Sequence, residues 1–148
     1  MSITLRSTAL LLFAILALPA VAEQGGQSVL ADGYEIHYAA INTTDVPPVT
    51  ARALDIRRSD ARALLVLNAQ RASDGSSLRA TAEGEVSNLA GQEKTLAARA
   101  VEDGGVWYVL AEFRVANGER LRFDLQVTPE GAGRAIPLRF EQTFYRAD

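Results

Sequence analysis

Alternation with a period of two runs through most of this chain and is clearest at Arg120–Thr128. There Leu121, Phe123, Leu125 and Val127 point one way, while Arg122, Asp124 and Gln126 point the other. A switch at every residue sets one strand face on a core and the other in water. Ile136, Leu138 and Phe140 repeat it against Arg139 and Glu141. Trp107, Val109, Ala111, Phe113 and Val115 form another apolar row. Ala80, Ala82 and Val86 line a fourth row against Thr81, Glu83 and Glu85, and Tyr34, Ile36 and Tyr38 a fifth against Glu35 and His37. Leu64–Gln70 reads as a shorter apolar strand and Thr95–Glu102 as an Ala-rich one.

Turn chemistry separates these runs. Asp103-Gly104-Gly105 and Asn117-Gly118 carry hairpin signals, since Asn, Asp and Gly tolerate positive φ. Ser73–Ser76, Asn88–Gln92 and Pro129-Glu130-Gly131 read as longer turns. About seven strands with turns at this frequency predict an all-β fold: an antiparallel immunoglobulin-like β-sandwich, with a closed barrel as the competing architecture. Trp107, Phe113, Leu121, Phe123, Leu125, Phe140 and Tyr38 are the expected core.

One segment breaks the strand rhythm. Pro47-Pro48 can open a helix, and Val49, Ala53 and Ile56 then fall at helical spacing. A helix of one or two turns within residues 47–56 is expected to cap one end of the sandwich. Val106, Tyr108 and Leu110 add a second apolar row to the Trp107 strand, so that strand is apolar on both faces. Burial beneath the helix segment accounts for this. The other reading is an exposed patch for a partner.

Residues 1–22 have the layout of a cleavable signal peptide. Arg6 supplies the positive charge, Ala9–Leu18 the apolar run, and Ala20-Val21-Ala22 the small-residue cleavage pattern. That run is about half the roughly 20 residues a membrane-spanning helix needs. Residues 23–28 are read as a flexible lead-in and residues 29–148 as one sandwich domain. The expected address is the periplasm. A lipoprotein is excluded, because the chain has no cysteine. Packing must therefore supply the stability that disulfides give many exported domains. The net charge of −3 argues against nucleic acid as a partner.

The order of these segments resembles a known family. It runs from the leader to the Tyr34–Asn42 strand (YEIHYAAIN), the Pro47-Pro48 helix leading to Arg58-Ser59, and the Leu64–Asn68 strand. Val86–Gln92 (VSNLAGQ), the Trp107-Tyr108 strand and the closing Phe140–Tyr145 strand complete it. This resembles a family of small secreted bacterial proteins known as domain of unknown function 4426, over nearly the whole mature chain. Asp55 departs from the resemblance, standing where glycine is expected after the short helix. The family implies a Gram-negative periplasmic setting and brings neither an activity nor site residues.

The residues offer little catalytic chemistry. His37 is the only histidine and lies on a polar strand row beside Glu35, and no Gly-x-Ser-x-Gly elbow is present. One histidine without cysteine cannot make a zinc site, and Asp74-Gly75 and Asp103-Gly104-Gly105 are explained by turns rather than calcium. No cofactor or metal is expected. Glu83 and Glu85 share a strand face about 7 Å apart, a glycosidase-compatible spacing, on a row that reads as solvated. Asn42-Thr43-Thr44 matches an N-glycosylation pattern that more plainly ends a strand.

Arginine in the irregular segment is the remaining feature. Arg52, Arg57, Arg58 and Arg62 are the candidate binding residues, with guanidinium forks suited to an anionic group or a partner carboxylate. The opposing reading pairs them with Asp45, Asp55 and Asp60 nearby. The expected function is a non-catalytic periplasmic binding or interaction module for a periplasmic protein or an anionic ligand. The alternatives are an enzyme with an unrecognised carboxylate or arginine site, and an accessory that pairs strands with a client. The sequence leans against an enzyme.

Overall fold

The computed structural model describes residues 27–146; the leader at 1–22 and most of the lead-in lie outside them. The chain forms strands β1 (Ser28–Ala31) and β2 (Tyr34–Asn42), then a 3-10 turn (Thr43–Asp45) and helix α1 (Pro48–Ala53). Strands β3 (Arg62–Arg71), β4 (Ser77–Leu78), β5 (Ala80–Asn88), β6 (Glu93–Lys94) and β7 (Ala97–Asp103) follow. Strands β8 (Val106–Arg114), β9 (Glu119–Pro129) and β10 (Ile136–Phe144) complete the chain.

Two antiparallel sheets stack face to face. The first runs β1-β2-β3-β8-β7, with β4 joined to β3, and the second runs β10-β9-β5-β6. Setting aside the short strands β1, β4 and β6 leaves seven. They divide as first, second, fifth and fourth against seventh, sixth and third, the division of a constant-type immunoglobulin domain. No ladder joins the two sheets among the described residues, so the architecture is a sandwich and not a closed barrel.

The alternation assigns the faces correctly. Leu121, Phe123, Leu125 and Val127 of β9 meet Ile36, Leu65, Leu67, Val109 and Phe113 of the first sheet in the buried layer. Phe123 and Phe140 stack at 4.3 Å, and Phe113 meets Phe123 edge-on at 5.6 Å, a favoured aromatic geometry. Three of the expected core residues are only half-buried. Tyr38 and Phe140 sit at the margin, packed on each other at 4.7 Å. Trp107 lies near the start of its strand, where the Arg79 guanidinium is 5.1 Å from its ring centroid.

The turns fall as expected with one exception. Asp103-Gly104-Gly105 closes the β7–β8 hairpin, with both glycines at positive φ. Asn117-Gly118 does not close a hairpin: it carries the chain from β8 in the first sheet to β9 in the second. Gly118 takes the positive φ, but that need says nothing about which sheet receives the next strand.

The helix does not cap an end of the sandwich. It lies across the outer face of the first sheet, where Val46, Ala51, Leu54 and Ile56 cover Leu64, Val66, Tyr108 and Leu110. The second apolar row of β8 is thus accounted for by burial beneath this segment. Of the three residues at helical spacing, Ile56 faces the sheet together with Ala51 and Leu54, whereas Val49 and Ala53 face solvent. The helix stops at Ala53, so helical spacing counted from Val49 cannot extend to Ile56. Burial, reinforced by the Asp103 charge, pushes the Tyr108 phenol up to about 12.

Candidate functional site

The arginine-bearing segment is fixed at several points before it presents any side chain. Thr43 is fully buried, and its hydroxyl accepts from the Ser59 amide at 2.9 Å. The same hydroxyl can donate to the Ser59 carbonyl at 3.0 Å or the Arg62 carbonyl at 3.2 Å. This pins the start of the segment to its end. Pro47 is extended and Pro48 opens α1, where a missing amide costs nothing.

The helix ends in a Schellman turn. The Ile56 amide donates to the Ala51 carbonyl at 2.7 Å and the Asp55 amide to the Arg52 carbonyl at 3.4 Å. Asp55 takes the left-handed conformation at φ 54°, so the helix-ending turn forms even though aspartate replaces glycine there. Arg99, projecting from β7, donates to the Leu54 carbonyl and, at 3.2 Å, to the Asp55 carbonyl. A guanidinium at this point satisfies carbonyls the helix leaves open and complements the negative end of its dipole.

The four candidate arginines differ in setting. Arg52, Arg57 and Arg58 are exposed. Arg58 donates to the Thr44 carbonyl at 2.8 Å. Arg62 is half-buried on the outer row of β3, with its Nε 3.6 Å from Glu112 Oε1. The same Glu112 oxygen accepts from the Arg57 amide at 3.0 Å. Asp45, Asp55 and Asp60 form no ion pair with any of the four among the described residues. The segment therefore holds Arg52, Arg57 and Arg58 toward solvent without a carboxylate partner.

Three members of this surface were not singled out from the sequence: Arg99, Glu112 and Arg114. Arg99 stands on β7 and had no signal; for Glu112 and Arg114 the signal is the outer row of β8, which reads Tyr108, Leu110, Glu112, Arg114. It turns from apolar to charged where the helix cover ends. The register sets Arg114 directly across from Arg62.

The other sequence motifs resolve as structure. His37 lies on the outer face of the first sheet, 3.6 Å from Glu35. Beside that row Asn68 is buried and donates to the Trp107 carbonyl at 2.9 Å and Ser77 Oγ at 3.3 Å, while its own oxygen accepts from Gln70 at 2.8 Å. Glu83 and Glu85 are exposed on the outer face of the second sheet, across from Gln126 and Asp124. Asn42 donates its amide to the Tyr145 carbonyl at 2.8 Å and Thr43 is buried, so the glycosylation-like triplet is built into the fold.

Two stacked antiparallel sheets with one outer face covered by a short arginine-bearing helix segment define an immunoglobulin-like sandwich with a decorated face. A family model described as domain of unknown function (DUF4426) matches residues 28–147, and the chain belongs to that family. A crystal structure of a DUF4426 family protein (PA0388) from Pseudomonas aeruginosa PAO1 is 26% identical, with a TM-score of 0.73. The match covers 84% of this chain and 98% of that one. FetP of uropathogenic E. coli strain F11, recombinantly expressed in the periplasm of E. coli, shares the fold at 10% identity and a TM-score of 0.51. That match covers 83% of this chain and 95% of the other. No curated protein matches the chain.

Proposed function

We propose that this is an exported, non-catalytic binding module whose contact surface is the 47–62 segment, taking a partner that presents an anionic group. One observation carries the reading. Arg52, Arg57 and Arg58 stand exposed without a carboxylate partner, on a segment locked by Thr43, a Schellman turn, Arg99 and Glu112. Side chains on an anchored irregular segment can meet a partner with little further ordering, which favours affinity. The leader-like pattern at residues 1–22 supports export, and no helix among the described residues is long and apolar enough to cross a membrane.

Strand pairing with a client is disfavoured at the β10 edge. The second sheet ends on β10, but that strand carries Pro137, Arg139 and Glu141, and Gln142 donates across to the Ala40 carbonyl of the first sheet. Proline and outward charges are devices that discourage strand addition.

Site-specific photocrosslinking in the exporting host tests the proposal. A photoreactive residue replacing Val49, exposed three residues before Arg52 on α1, should capture one discrete partner, and the same residue replacing Glu83 on the far sheet should not. Arg57→Ala with Arg58→Ala should lower capture about tenfold while stability stays within ~0.5 kcal/mol, the usual range for exposed changes. Undiminished capture by the folded double variant removes this surface.

A further inference from the structure

Arg62 and Arg114 are direct cross-strand partners at the end of the β3–β8 ladder, both on the outer face of the first sheet. Side chains so placed start about 5 Å apart, and like charges there repel. The backbone beneath them is fixed, because the Val115 amide donates to the Ala61 carbonyl at 2.9 Å. Among the described residues one carboxylate reaches the pair, and it reaches only Arg62. Glu112 lies on the same row of β8 as Arg114. Its Oε1 is 3.6 Å from Arg62 Nε, too far for a hydrogen bond, and already accepts from the Arg57 amide. Arg62 Nε is buried and has no hydrogen-bond partner. Arg114 is exposed and forms no ion pair among the described residues. In a chain of net charge −3, this corner is locally positive and incompletely satisfied.

We infer that the Arg62–Arg114 pair binds a phosphoryl oxyanion, either free phosphate or the phosphate of a lipid headgroup. The inference rests on the proposed reading of this segment as an anion-contacting surface and names the ligand class. A single guanidinium fork occupies both oxygens of a carboxylate. Two arginines paired across a ladder call for an acceptor with oxygens enough for both, and a tetrahedral phosphoryl group has them. A doubly charged group also offsets the repulsion that Glu112 alone leaves between the two arginines. Arg57, held beside them through its amide, is placed at the rim of the same corner.

The test is titration of the purified protein with arginine Nε–Hε resonances as the readout. Inorganic phosphate, sodium acetate, and phosphatidylcholine vesicles with and without phosphatidylglycerol are the four probes. Saturable shifts at Arg62 and Arg114 with phosphate, and none with acetate, support the site with a free anion as its ligand. Retention on phosphatidylglycerol vesicles alone, lost in Arg114→Gln, supports it with a lipid headgroup. In either case Arg114→Gln should weaken binding at least tenfold. Glu112→Gln should tighten it several-fold, since it removes the competing charge and keeps an acceptor for the Arg57 amide. A merely structural role for Glu112 would not tighten binding. Equal response to acetate, no response to phosphate or vesicles, or unchanged binding by Arg114→Gln overturns the inference. Shifts confined to Arg52, Arg57 and Arg58 also overturn it, while leaving the proposed contact surface standing.

Discussion

Gly84 sits mid-strand in β5 at φ 139°, and a Cβ built on it would stand 2.2 Å from the Asp124 carbonyl oxygen and 2.8 Å from the Leu125 Cα. Both obstacles are backbone, so no side chain can swing aside. Gly84→Ala should therefore destabilise the fold by about 3 kcal/mol, through strain at positive φ and displacement of the β5–β9 ladder. Chemical denaturation measures it, and a cost below ~1 kcal/mol would show that the ladder yields freely. Asp55 presents the reverse case. It holds φ 54° at the end of α1, and its Cβ carries a penalty that glycine lacks. Nothing in the turn uses the carboxylate as a hydrogen-bond acceptor. Asp55→Gly should stabilise the protein by about 0.5 kcal/mol, the relief of left-handed strain exceeding the added freedom of the unfolded chain. A destabilised variant would show that the added freedom of the unfolded chain outweighs the relief of strain.

At the scale of the element, six residues of helix are too few to persist alone. Segment 47–62 holds its shape because Ala51, Leu54 and Ile56 bury against β3 and β8 and because Arg99 binds the Leu54 and Asp55 carbonyls. Arg99→Ala should cost about 1 kcal/mol, below the range for buried charged hydrogen bonds because the side chain is largely in water. Faster hydrogen exchange at the Asp55 and Ile56 amides should accompany it, since those amides close the Schellman turn. Unchanged exchange there would show that packing alone holds the segment. The presence of this helix was legible in Pro47-Pro48, and its cover was legible in the two-faced apolarity of β8. Ala51 and Leu54 were not legible as its inward residues, because counting from Val49 picks a different face of so short a helix. Strand β1 was missed for a related reason. It is four residues long, and its signal is the Asp32-Gly33 turn, with both residues at positive φ, rather than any run of alternation.

Across the whole molecule, alternation specified five strands and their inward faces, since burial on one face is what produces the pattern, and two further strands were read as apolar or Ala-rich runs with no face assigned. It did not specify which sheet each strand joins, and Asn117-Gly118 shows why. The same local chemistry serves a hairpin or a crossing between sheets. Nor did it show that Arg62 and Arg114 face each other, which only register decides. The crossing at residues 116–119 also sets how stability responds to acid. Burial alone would raise the Glu119 carboxyl. Hydrogen bonds from Lys94 at 2.8 Å, the Ala116 amide at 2.8 Å and Asn88 at 3.2 Å outweigh it and hold Glu119 below its ordinary value. Asp32, bound by the Arg134 fork at 2.9 Å between the β1–β2 turn and the β9–β10 turn, is lowered as well. So is Glu141, bound first by Arg122 and then by Arg120. A carboxyl whose folded value lies below its unfolded one contributes fully above the unfolded value, roughly 4 to 4.5, and loses that contribution as pH falls through the folded value. The melting temperature should therefore be flat from pH 8 to about 5.5 and decline below about 4. Glu119→Gln should lower it at pH 7, where Lys94 and the Ala116 amide lose their charged acceptor. The gap between variant and parent should then narrow as pH falls through the Glu119 titration, because the parent loses the same charge to protonation. Melting curves of both proteins between pH 7 and pH 3 measure that gap, and a constant gap would show that Glu119 contributes through shape and not charge.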